Sequence, residues 1–141
     1  MRRRACWMLT GLALAAAATG CGQSSAVRTL MQDRVAPASD AVFNAVIYTN
    51  GALAASPQTP EAWQQLRTQT TQLIDAATEI RRLAPSADAE VWLVQSDALA
   101  TSAREAEAAI DSRSLQAVLD AGSRIYATCQ TCHAKYVPEN P

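Results

Sequence analysis

The sequence predicts an all-α fold, an antiparallel up-down four-helix bundle, and three observations carry that expectation. The 141 residues are about one domain's worth of chain, 49% apolar but only 5% aromatic, with five glycines. That composition suits packed helices and fits poorly with a turn-rich β-sandwich. Glycine and proline fall in a few clusters, which divide the chain into four long segments. Within each segment the apolar residues recur in threes and fours, the spacing of one helix face. Four helices with short connections favour antiparallel neighbours. The apolar content also excludes a disordered chain. Twelve Lys and Arg against thirteen Asp and Glu argue against a nucleic-acid partner, which calls for a basic excess.

Residues 1–20 read as an export signal, apart from the fold. Arg2, Arg3 and Arg4 form a positive start, and an uncharged stretch runs from Ala5 to Thr19. It is shorter than the roughly 20 apolar residues that a membrane span needs. The run Ala18-Thr19-Gly20-Cys21 resembles the lipobox of bacterial lipoproteins, with alanine where leucine is usual. The resemblance implies cleavage before Cys21, lipidation of its thiol, and anchoring on a membrane. The mature chain is then residues 21–141. Three of the twelve basic residues leave with the signal and no acidic residue does, so its net charge is −4.

The first helical segment carries Val27, Leu30, Met31, Val35, Val42 and Val46, with Pro37 predicting a kink or a break. A loop around residues 50–59 follows, marked by Gly51 and Pro57. Thr59 as N-cap, Pro60 at the first helical position and Glu61 in the first turn open the second helix. Its stripe is Trp63, Leu66, Leu73, Ile74, Ala77, Ile80 and Leu83. Pro85 and Ser86 separate it from a third helix, with the stripe Val91, Val94, Ala98, Ser102, Glu105 and Ala109. Residues 111–114 form the last break. The fourth helix starts near Ser114 and places Leu115, Val118, Leu119, Gly122, Ile125, Tyr126, Cys129, Cys132 and Tyr136 in one stripe. In the up-down topology the start of the first helix and the finish of the fourth share one end of the molecule.

That shared end carries the chemistry. Cys129-Gln130-Thr131-Cys132-His133 is a C-x-x-C-H motif, the attachment signature of haem c. Two thiols three residues apart on a helix share a face and can form thioethers to the two vinyl groups of one porphyrin. The adjacent histidine then reaches the iron. His133 is the sole histidine of the chain, and export supplies the compartment that attachment requires. A thioredoxin-like pair would open a helix after a strand, and a zinc site would need a second Cys/His pair. Met31 is the only methionine outside the signal. The topology makes it a candidate sixth ligand, or else a core side chain beside the haem. Tyr126 and Tyr136 are candidate porphyrin contacts on the same face. Arg28, one turn before Met31, either meets a haem propionate or is solvated.

With this motif near the C-terminus, four expected helices and a methionine early in the first helix, the chain resembles the class II c-type cytochromes, the group of cytochrome c-prime and its low-spin, methionine-ligated relatives. The run from Tyr126 to Tyr136 resembles that family's last helix, and Arg28-Thr29-Leu30-Met31 the stretch that presents the sixth ligand. The resemblance implies one covalent haem c and one-electron transfer where methionine binds the iron. It implies a five-coordinate haem open to NO or CO where an apolar residue only covers the distal face. Lys135 stands two residues beyond His133, where family members often carry an arginine about a turn on. The expectation is therefore an electron-transfer protein rather than an enzyme, in the periplasm of a Gram-negative bacterium and lipid-anchored through Cys21. Its expected partners are periplasmic or membrane redox proteins, and a homodimer is left open.

Overall fold

A computed structural model describes residues 19–137, with side chains from Ser25 onward. Residues 1–18 of the expected signal and the side chain of Cys21, with the lipid anchor expected there, lie outside the residues so described, while the last two signal residues, Thr19 and Gly20, fall in the first turn of the first helix. The described residues are mostly helical: α1 (Thr19–Leu30), a π turn (Met31–Val35), α2 (Ala36–Phe43), α3 (Pro60–Arg82), α4 (Ala89–Asp111) and α5 (Leu115–Tyr136). The all-α expectation holds, with one addition. A small hairpin, β1 (Ile47–Thr49) and β2 (Ala52–Ala55), stands between α2 and α3. Among the described residues no helix is long and apolar enough to cross a membrane.

Pro37 does not break the first segment. Proline lacks an N–H, and its ring clashes with the carbonyl four residues back, here Asp33. The chain widens just upstream, where the Ala36 N–H reaches past Gln32 to the Met31 carbonyl. One wide turn thus accommodates the proline and lets the helix continue into α2. The hairpin comes from Asn50-Gly51, whose φ values of 52° and 79° are left-handed at both turn positions. Such a dipeptide is the strongest short-range hairpin signal.

The expected helix starts are present. The Thr59 hydroxyl accepts the Ala62 N–H at 3.2 Å, and the Ser114 hydroxyl accepts the Ala117 N–H at 3.3 Å. These caps satisfy donors that a helix start leaves unpaired. α3 and α4 run antiparallel. Arg67 pairs with Asp111 at 2.7 Å, Thr71 donates to Glu107 at 2.8 Å, and Arg81 pairs with Asp97 at 2.8 Å. The residue numbers of each pair add to one value, as antiparallel helices of equal rise require. α4 and α5 also run antiparallel, with Arg124 paired to Glu105 near mid-helix and Tyr136 reaching Asp88 at the end. α2 packs on α3 and on α5.

The core lies among these helices. Leu73, Ala76, Ala77, Ala103, Ala106, Ala121 and Ile125 are fully buried. The α4 stripe differs from the sequence expectation. Trp92, Ser96, Leu99, Ala103, Ala106 and Ile110 face inward in alternating steps of four and three. Val94 is 57% exposed, and Glu105 is exposed and paired with Arg124. Trp92 wins the register because its ring fills the core while its indole N–H donates to the Ile80 carbonyl at 2.7 Å. A buried indole needs such a partner.

Candidate functional site

The Cys129–His133 motif occupies the last turns of α5. The steps that lead to it are Val118, Gly122 and Ile125, all buried along the inward face. Cys129 continues this stripe and packs against the core. Cys129 and Cys132 are both free thiols and half-buried. Three residues apart, they stand about 60° from each other around the helix, on one face. His133 is exposed, and its carbonyl accepts the Val137 N–H at 3.0 Å, closing the last turn.

The electrostatics of the thiols are set by burial. Loss of solvent raises the pKa of Cys129, and a thiolate at Cys132 would raise it further. Burial likewise raises Cys132. Neither thiol meets a condition that creates a reactive thiolate, such as a helix N-terminus or a neighbouring cation. They stand at the opposite, partially negative end of a helix.

The tyrosines flank the motif on different sides. Tyr126 is 55% exposed and meets Phe43 of α2 edge-on, with ring centroids 6.1 Å apart. Tyr136 turns to α4, where it meets Trp92 edge-on at 4.9 Å and donates its hydroxyl to the Asp88 carbonyl at 3.0 Å. Lys135 pairs with the Asp88 carboxylate at 2.7 Å, and that hydrogen bond raises its pKa. Met31 opens the π turn and is half-buried, packed against the core. Arg28 is exposed and forms no ion pair among the described residues.

The first helix approaches α5 at Gly122. A Cβ there would meet Val42 Cγ1 and Phe43 Cδ1, each at 3.7 Å. This is ordinary contact, and it sets the register of α2 on α5. Two surface cavities, of about 290 and 390 Å³, lie elsewhere, beside the α2–α3 groove and beside the Arg34–Glu79 pair. Among the described residues no group of three or more His, Cys, Asp or Glu gathers as a metal-ligand set.

The donor set suits a covalent porphyrin. Two protonated thiols share a face, a histidine follows immediately, and the exposed apolar side chains Tyr126 and Val137 bracket them. Sequence reasoning missed Trp92 and Asp88, which hold the end of α5. Trp92 was legible in the heptad of α4, whereas a backbone carbonyl such as that of Asp88 leaves no sequence signal. No family model, curated protein or solved structure matches the chain.

Proposed function

We propose that this chain is a c-type haem protein that carries single electrons in the periplasm, built as an antiparallel up-down four-helix bundle. Cys129 and Cys132 would hold the haem through thioethers, and His133 and Met31 would supply the side chains that bind its iron. When bound, the haem supplies a one-electron couple, whose potential methionine ligation raises. The polypeptide attaches, orients and shields it. This reading includes export through residues 1–20, a lipid anchor at Cys21, and periplasmic or membrane redox proteins as partners.

The observation that carries the reading is the register of the first helix on α5, together with the motif. Eleven residues back from Val42 is Met31, and eleven residues forward from Gly122 is His133. Antiparallel helices of equal rise would therefore bring Met31 level with His133. The π turn takes up about one residue of that advance, so the match falls at the Cys132–His133 step. A single methionine and a single histidine would thus stand level on two helices, able to flank one plane. A thiol–disulfide exchanger is disfavoured, because burial raises both thiols and the motif closes a helix instead of opening one.

The test is the visible spectrum of the chain matured in a host that attaches haem c. The expected result is covalent haem that is low-spin in the ferric form, turning high-spin in Met31→Ala. Covalent haem that is already high-spin in the wild type overturns Met31 as ligand and favours a five-coordinate, NO- or CO-binding haem. A colourless protein with two titratable thiols overturns the haem reading as a whole.

A further inference from the structure

We infer that Tyr136 is a positioning residue for His133, acting through a latch that fastens the last turn of α5 to the α3–α4 junction. The inference rests on the haem reading and adds a device to it. The last carbonyls of a helix have no intrahelical donor, and terminal turns open most readily. α5 ends without a glycine cap, and the Val137 N–H bond to the His133 carbonyl closes its final turn. An imidazole in that turn is held only as firmly as the turn itself.

Tyr136 lies three residues beyond His133, and three separate contacts fix that turn. Its hydroxyl donates to the Asp88 carbonyl at 3.0 Å. Its ring meets Trp92 edge-on at 4.9 Å, and Trp92 is buried and tied to α3 by its bond to the Ile80 carbonyl. Next to it, Lys135 pairs with the Asp88 carboxylate at 2.7 Å, with its ammonium 5.7 Å from the Tyr136 ring. Asp88 is itself left-handed, with φ of 69°, just before α4, and both its carbonyl and its carboxylate are engaged by this turn. The loop, through Asp88, and α4, through Trp92, thus meet on the Tyr136 side chain, and Trp92 carries the hold on to α3. The latch grips the helix that carries His133 from the α4 side, leaving the α2 side to the first helix and Met31.

The test compares haem-loaded full-length wild type, Tyr136→Phe and Tyr136→Ala. Three properties are read: amide hydrogen exchange over residues 134–137, the reduction potential, and the ferric spin state. Tyr136→Ala should speed exchange in that turn by about tenfold, shift the potential beyond replicate scatter, and raise the high-spin share. Tyr136→Phe keeps the ring on Trp92, so it should recover much of each change. Faster exchange with an unaltered potential and spectrum overturns the positioning role, and so does unaltered exchange. If Tyr136→Ala does not accumulate, Tyr136→Leu, which also removes both the ring and the hydroxyl, takes its place, and wild-type values there overturn the inference. A wild type without covalent haem overturns this inference and the proposed function together. A haem-bearing wild type with silent variants overturns the latch alone.

Discussion

Cys129 and Cys132 are free, half-buried thiols at the end of α5. On the proposed reading, haem attachment would make both sulfurs thioethers, which do not titrate. Without haem, burial raises both, so the folded chain holds their protons more tightly than the unfolded chain does. The sign follows from linkage. Stability tied to these thiols is full below the ordinary thiol value near pH ~8.5. It declines as pH rises from there through the raised folded values, because the unfolded chain gives up its protons first. Urea unfolding of the haem-free chain should therefore show a midpoint that falls between about pH 8 and pH 10. The Cys129→Ala, Cys132→Ala double variant should lose the part of that slope owed to the thiols. An equal slope in both chains would mean that burial does not perturb the thiols.

The first helical segment shows how an element can be legible in kind and not in detail. Pro37 announces an irregularity, yet proline alone does not say whether a helix kinks, stops or widens. The answer depends on neighbours: Val35, Ala38 and Val42 are all buried, so the run stays seated on α3 while one turn opens. The hairpin was legible in Asn50-Gly51, but between two helical stripes those residues read as a plain loop. The register of α4 turned on size against shape. Valines at 91 and 94 look more apolar than the alanines at 103 and 106, but those alanines let neighbouring helices close in. At the site, the spacing of Cys129, Cys132 and His133 and their place in the last turns of α5 were legible, because all three lie within one helical stretch of sequence. Which helices the two tyrosines face was not, because that depends on packing across the molecule. The π turn also yields a test. An extra residue in a turn rotates everything upstream by about 100°, so the wide turn sets the direction of Met31. In Pro37→Ala the new N–H can bond the Asp33 carbonyl, and the turn can relax to an α-helix. The helical circular dichroism should persist, while the low-spin share of the ferric haem should fall. An unchanged spectrum would mean that Met31's direction does not depend on the wide turn.

Taken whole, the molecule is held by small side chains at close quarters and decorated with exposed charge pairs. The pairs linking α3 to α4 mark register well, since they repeat along both helices. They stabilise little, because solvent screens them and exposed pairs contribute at most about 1 kcal/mol each. The Arg81 and Asp97 side chains, for example, are both more than half exposed. Leu73 is the opposite case, fully buried in α3 at the centre of the core. Its truncation removes apolar contact and leaves a cavity, at a cost of about 2–5 kcal/mol. In an alanine-rich core few long neighbouring side chains can swing in to refill that space, so the cost should fall toward the upper part of that range. Leu73→Ala should therefore lower the urea midpoint far more than Arg81→Ala does, and added salt should move the wild type only slightly. If Arg81→Ala matched Leu73→Ala, the charge ladder and not the apolar interior would be what holds α3 against α4, and the end of α5 that carries Cys129–His133 would depend on ionic strength.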